Sequence, residues 1–221
     1  MSLLFSPARL SRIETAGIIA VLVIDRAVDA LPLAEALASG GIEVIELALR
    51  TPDSLAALRE IKKRFPFMLV GAGTVLAPTQ IPQVIDAGAE FAVAPGCNPR
   101  VLAAAAAANI SFAPGIVTPS DIETAVEHGC NLLKFFPAEP SGGLSYLKNM
   151  TAPYAHLGLR YIPLGGIGET TAAAYLDEPS VIALGGSWIA PRELIQKKDF
   201  VEIAARAQRA RDLVLKIRST R

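Results

Sequence analysis

The chain has 221 residues, a length that suits one large domain able to bury roughly 70% of its unfolded surface without disulfide or metal staples. It is 52% hydrophobic and only 19% charged, with 21 basic against 21 acidic residues. That balance points away from nucleic acid and from an anionic membrane surface as partners. Two cysteines, Cys97 and Cys130, are too few and too far apart for a zinc cluster or a disulfide framework, and they read as reduced thiols of a cytoplasmic protein.

The opening Met-Ser-Leu-Leu-Phe-Ser-Pro-Ala-Arg lacks the basic segment and long apolar core of a signal peptide. Ser6 and Pro7 then start a helix over residues 8–16. Residues 17–24 are the longest apolar run, far short of a membrane span, and 18–24 read as a first buried strand. Residues 27–39 have helical spacing and stop at Gly40-Gly41. A second strand over 44–49 precedes a helix over 54–65, and a third strand from 68 to 70 runs into Gly71-Ala72-Gly73-Thr74. The pattern continues with a helix over 78–87, a strand over 91–94, a helix over 99–108, a strand over 110–113, a helix over 119–128 and a strand over 131–136. A glycine-containing loop precedes residues 144–150; strands over 160–164 and 181–184 follow, and 200–217 form a closing amphipathic helix.

The eight strand centres are Val21, Ile45, Leu69, Ala92, Phe112, Phe135, Ile162 and Ala183, one every 20 to 27 residues with no linker-like break. That period predicts a single α/β domain over residues 1–221, a (β/α)8 TIM barrel with an extra N-terminal helix. The rival, a doubly wound open sheet, favours five or six strands and a glycine-rich turn directly after the first, where this chain has Asp25-Arg26-Ala27. In such barrels the chemistry lies at the C-terminal ends of the strands.

Sorted that way, the first candidate is Lys134, in the apolar run Leu132-Leu133-Lys134-Phe135-Phe136 closed by Pro137. Burial disfavours the charged amine, and a neutral amine is the nucleophile of Schiff-base enzymes. A strand lysine can equally snorkel to solvent or pair with a carboxylate. In the second strand, alternation places Val44, Glu46, Ala48 and Arg50 on one face; a Glu46–Arg50 structural pair and a functional pair are both open. The third strand puts Val70, Ala72 and Thr74 on one face, with Gly71 and Gly73 letting the backbone approach a ligand. Gly165-Gly166 after the seventh strand and Gly185-Gly186-Ser187 after the eighth, each leading toward a helix start, have the form of a phosphate cradle; close helix–strand packing also uses such glycines. His128 and His156 lack a helpful ligand spacing, so no metal site is expected, and Trp188 reads as a packing residue. Cys97 has nothing beside it to activate a thiolate.

Together these stretches resemble the 2-keto-3-deoxy-6-phosphogluconate (KDPG/KHG) aldolases. The matching segments are Val44-Ile45-Glu46-Leu47-Ala48-Leu49-Arg50-Thr51, Gly71-Ala72-Gly73-Thr74-Val75-Leu76, Pro95-Gly96, Pro114-Gly115-Ile116, Lys134-Phe135-Phe136-Pro137-Ala138-Glu139 and Gly185-Gly186-Ser187-Trp188. The resemblance implies a class I aldolase of the Entner–Doudoroff pathway that cleaves KDPG to pyruvate and glyceraldehyde 3-phosphate, with 4-hydroxy-2-oxoglutarate as a further candidate substrate. It implies Lys134 as the Schiff-base lysine, Glu46 as the acid/base, Arg50 and Thr74 on the pyruvyl carboxylate, and Gly165, Gly166, Gly186 and Ser187 on the distal phosphate. It also implies a homotrimer, and a carbon–carbon lyase needing no metal or cofactor. The chain departs from the family pattern at Leu164, where many members carry a threonine that reads the substrate's hydroxyl stereochemistry. Galactonate-series relatives also carry an apolar residue there, so a 2-dehydro-3-deoxy-6-phosphogalactonate aldolase is an alternative. An enamine-type keto-acid decarboxylase, a pyridoxal-phosphate barrel and a non-catalytic sugar-phosphate binder are the remaining rivals.

Overall fold

The computed structural model describes residues 4–219; residues 1–3, part of the opening segment weighed above as a leader, and 220–221 lie outside the described residues. Helix α1 (Pro7–Ala16) starts at Ser6, whose hydroxyl accepts from the Arg9 N–H at 3.3 Å, and stops at Gly17 with φ 68°. The strands that follow are β1 (Ile18–Leu22), β2 (Val44–Ala48), β3 (Leu69–Gly73), β4 (Phe91–Val93), β5 (Ser111–Ala113), β6 (Gly115–Ile116), β7 (Leu132–Phe135), β8 (Arg160–Pro163) and β9 (Leu184–Gly186). Between and after them run α2 (Ala30–Ser39), α3 (Ser54–Arg64), α4 (Gln80–Asp86), α5 (Pro99–Ala107), α6 (Pro119–Glu127), α7 (Gly143–Thr151), α8 (Ala172–Leu176), α9 (Arg192–Gln196) and α10 (Phe200–Arg218).

The architecture is α/β, built on a curled parallel sheet. Six strands pair in the order β5-β4-β3-β2-β1-β9, and three more in the order β6-β7-β8, all parallel. Pro114 alone separates β5 from β6, and a proline has no N–H to give to a ladder. At the other edge, single bridges join Leu164 to Gly185 and Tyr161 to Val181. Strand alternation produces two apolar layers. Ile18, Ala20, Leu22, Ile45, Leu47 and Val70 face the helices, whereas Ile19, Val44, Leu69, Phe91, Val93 and Leu132 pack among themselves inside the curl.

The extra N-terminal helix closes one end of that inner layer. Phe5 and Ile13 belong to it, with the Phe5 and Phe91 rings 5.9 Å apart. Asn131 fixes the segment through its side chain, accepting from the Phe5 N–H at 2.9 Å and donating to the Phe5 carbonyl at 3.1 Å. Arg9 donates to the buried Ser111 hydroxyl at 2.7 Å. The end where the strands start is thereby sealed, and an open site is left at the end where they finish.

Several sequence expectations shift. The expected eight-stranded ring is nine strands in two sheets, because Pro114 interrupts the fifth. The last strand is Leu184–Gly186 rather than 181–184; Gly185 and Gly186 are themselves strand residues, in register with Ile19 and Ala20. Their weak strand propensity hid them, and close packing explains them, since a Cβ on Gly185 would lie 2.3 Å from Leu164 Cδ1. On β3 the inward residues are Gly71 and Gly73, while Val70 and Ala72 face the helix layer. A side chain on Gly71 would sit 2.2 Å from the Phe91 ring. Helices α8 and α9 went unread, each only five residues long.

Candidate active site

Two strands ending at the same rim, β2 and β7, supply the charged groups. Glu46 on β2 and Lys134 on β7 both point inward, 88 residues apart in sequence, and Lys134 Nζ donates to Glu46 Oε1 at 2.9 Å. Lys134 is 6% exposed and Glu46 5%. Two charges this deeply withdrawn from water persist because each is the other's partner. Of the sequence alternatives, then, the carboxylate pair is the one realised for Lys134, and the Glu46–Arg50 pair is not. Arg50 is exposed and makes no ion pair among the described residues.

These groups line a pocket of ≈ 190 Å³ together with Thr74, Leu164, Gly165 and Ser187. Val21, Val23, Ala48, Pro95 and Phe136 supply its apolar wall. That volume is below the roughly 300–1,000 Å³ of clefts that take drug-sized ligands, and it suits a small organic acid. Three larger clefts, of ≈ 380 Å³ beside Arg12 and Arg211, of ≈ 370 Å³ beside Lys148 and Tyr154 and of ≈ 310 Å³ beside Leu76 and Cys97, hold neither Lys134 nor Glu46. Thr74 reaches the pocket through a left-handed backbone, φ 59°. For a β-branched residue that conformation is costly, and strain of this kind gathers at ligand sites. The Lys134 ammonium also lies 5.7 Å from the centre of the Phe136 ring.

The glycine segments come together only in part. Gly165 (φ 103°) lines the pocket, and Gly166 (φ 80°) lies exposed beside it. Gly186 is buried in β9, and Ser187 is exposed where β9 gives way to a turn. Neither segment feeds a helix directly: α8 begins six residues after Gly166, and α9 five residues after Ser187. Leu164 lines the pocket with an aliphatic side chain that neither donates nor accepts.

The remaining candidates stand apart. His128 Nδ1 lies 3.0 Å from the Thr124 carbonyl of its own helix, and His156 is exposed on the turn Ala152–Leu157. No three His, Cys, Asp or Glu side chains cluster as a metal site among the described residues. Trp188 packs on the outer core, and its carbonyl accepts from Arg206 at 3.0 Å. Burial pushes the Cys97 thiol up to about 11 and Cys130 up to about 12. Among the described residues no helix is long and apolar enough to cross a membrane.

The sequence pattern of the KDPG and KHG aldolases matches residues 10–206. The chain belongs to that family. A 2-dehydro-3-deoxy-phosphogluconate aldolase of Treponema pallidum is 39% identical over 202 residues, which are 91% of this chain and 95% of the relative. The solved 2-keto-3-deoxy-6-phosphogluconate aldolase of Zymomonas mobilis ZM4, determined with 3-phosphoglycerate, superposes with a TM-score of 0.85 at 38% identity, covering 93% of this chain and 96% of that one. A KDPG aldolase of Legionella pneumophila, in which pyruvate was captured as a covalent carbinolamine, superposes with a TM-score of 0.86 at 38% identity, covering 92% and 97%. Sequence reasoning missed Val21 and Val23, which line the pocket from β1 and just beyond it; an apolar strand carries no signal that separates pocket wall from core.

Proposed function

We propose that this chain is a class I aldolase that cleaves 2-keto-3-deoxy-6-phosphogluconate to pyruvate and glyceraldehyde 3-phosphate through an imine on Lys134. The observation that carries the reading is the 2.9 Å contact between Lys134 Nζ and Glu46 Oε1 at the floor of the pocket. A carboxylate at that distance can take the ammonium proton, leaving the neutral amine that attacks a carbonyl. Lys134 adds to the C2 ketone, and loss of water gives a protonated imine. As the C3–C4 bond breaks, Glu46 takes the proton of the C4 hydroxyl and the bonding electrons pass into the imine. The aldehyde leaves, the enamine of pyruvate remains, and Glu46 returns the proton to C3 before hydrolysis frees pyruvate. The imine does the work that a Lewis acid does in a metal-dependent aldolase.

Arg50, a pocket-lining residue that is exposed and makes no ion pair among the described residues, and Thr74 are the groups for the substrate carboxylate. Gly165, Gly166, Gly186 and Ser187 are the groups for the phosphate, supported by the exposure of Gly166 and Ser187 at the rim. The apolar Leu164 favours a second reading of the substrate: without a hydrogen bond at this turn, the C4 configuration is weakly read and the galactonate-series substrate is also cleaved. Side-by-side assay of the two epimers tests this.

The remaining architecture follows from the same reading. Counted as one strand interrupted at Pro114, β5 and β6 bring the total to eight, and the Leu164–Gly185 bridge supports closure into a single (β/α)8 domain. A homotrimer is supported by the family resemblance, and light scattering reads it directly. Two unpaired thiols support a cytoplasmic setting. The deciding experiment is borohydride reduction in the presence of pyruvate, with the mass adduct mapped to Lys134 and absent from Lys134→Ala. An unmodified wild-type chain would overturn the proposal.

A further inference from the structure

We propose that Glu139 and Tyr175 form a positioning pair that holds the Gly165-Gly166 segment at the distance required by the substrate's phosphate; the inference rests on the aldolase reading above. The chain leaving β7 runs through Pro137 and Ala138 to Glu139 and lies flat against the segment leaving β8. Ala138 N–H donates to the Leu164 carbonyl at 2.8 Å, and Glu139 N–H to the Gly165 carbonyl at 2.9 Å. There is no slack between the two segments. A Cβ on Gly165 would lie 3.1 Å from Pro137 Cα, and one on Gly166 would lie 2.6 Å from Glu139 Cβ. The position of Glu139 therefore sets the position of Gly166.

Glu139 is itself held from behind. Tyr175, on the helix that follows the glycine segment, is 2% exposed, and its phenol donates to Glu139 Oε1. Burial and the adjoining carboxylate both raise the phenol well above its ordinary pKa, which keeps it a donor at any physiological pH. Gly143, at the start of α7, borders the contact: a Cβ there would lie at ordinary contact distance, 3.4 Å from Glu139 Oε1 and 3.5 Å from the phenol oxygen. A phenylalanine would fill the same space under α8, so packing alone does not call for the hydroxyl. The hydroxyl ties α8, the β7 exit and the glycine segment into one unit, and neither Glu139 nor Tyr175 is among the side chains that line the pocket with Lys134 and Glu46.

The test compares KDPG with 4-hydroxy-2-oxoglutarate, which carries no phosphate, in Tyr175→Phe, Glu139→Ala, Glu139→Gln and the double variant Tyr175→Phe/Glu139→Ala. Losing one hydrogen bond to a charged group should raise KM for KDPG about tenfold, with kcat and the 4-hydroxy-2-oxoglutarate parameters within about twofold. Glu139→Gln keeps a carbonyl acceptor and should restore near wild-type KM, and the double variant should be no worse than either parent. Equal losses on both substrates would reduce the pair to a structural prop and overturn the proposal, as would an unchanged KM for KDPG. Should Tyr175→Phe fold poorly, Glu139→Ala alone decides between the same outcomes. Borohydride trapping of pyruvate on the wild type separates the two levels: trapping with no phosphate-specific effect sinks the positioning pair alone, and no trapping sinks the aldolase reading with it.

Discussion

Gly73→Ala places one methyl group where the site has no room for it. The added Cβ would lie 2.1 Å from Glu46 Oε1 and 2.7 Å from both its Cδ and Cγ. Ordinary contacts run at about 3.5 Å, so the carboxylate oxygen must retreat by about 1.4 Å. Because Cγ is obstructed as well as the tip, the whole side chain has to rotate, and the 2.9 Å contact with Lys134 is lost. Two costs follow. Overpacking of a tight interior costs about 1–3 kcal/mol of stability, less where the carboxylate can swing toward the pocket mouth and regain water. A misplacement of about 1 Å in a reacting group costs about 100-fold in rate, and no swing toward solvent restores that. The rate is therefore the more sensitive measure. Gly73 has no positive φ, so the substitution brings no backbone strain of its own. Gly96→Ala is the matched control, with nothing within 4 Å of its added Cβ. Steady-state cleavage of KDPG, read beside thermal unfolding, should show kcat/KM down about 100-fold for Gly73→Ala and unchanged for Gly96→Ala. A Gly73→Ala enzyme within threefold of wild type would refute the placement of Glu46 over Gly73.

Other consequences can be checked independently. Lys134→Met should be inactive and destabilised by about 3 kcal/mol, because it strands a buried carboxylate, whereas Lys134→Met/Glu46→Leu should be equally inactive but at least as stable as wild type in urea unfolding. Cys130, raised by burial to about 12 from an ordinary 9.0, should resist thiol reagents at pH 8 until the chain unfolds. A folded-state pKa above the unfolded value means that its contribution is intact below about pH 9 and fades as pH climbs toward about 12. Cys130→Ala should accordingly flatten the alkaline limb of the stability curve. Asp25 runs the opposite way: the Arg192 hydrogen bond, then that of Gln196, lowers it from 3.8 to about 2. Its contribution is present above pH 3.8 and lost as pH falls toward 2, so Arg192→Ala should weaken the acid dependence of unfolding in that window.

The strand–helix alternation, the face shared by Val44, Glu46 and Ala48 on β2 and the lysine on β7 were all written in local pattern. Apolar runs, capping residues such as Ser6 and stops such as Gly17 act over a few residues, and they mark elements without knowledge of the rest of the chain. The segments around Glu46, Thr74, Lys134 and Gly186, taken together and in order, likewise carry the family resemblance in sequence alone. The inward face of β3 was not local: its parity depends on stagger against β2 and β4, which places Gly71 under the Phe91 ring and Gly73 under Glu46. The same holds for the last strand, where Gly185-Gly186 carries little strand propensity and is held by Ile19, Ala20 and Leu164 from distant segments. Lys134 could have snorkelled, and Glu46 could have turned to Arg50. Curling the sheet brought the two inward faces together across the interior and chose between those outcomes, because a buried charge settles only where an opposite charge is within reach. The Tyr175–Glu139 contact was equally beyond the sequence, since it joins a five-residue helix to a strand exit and repeats no period.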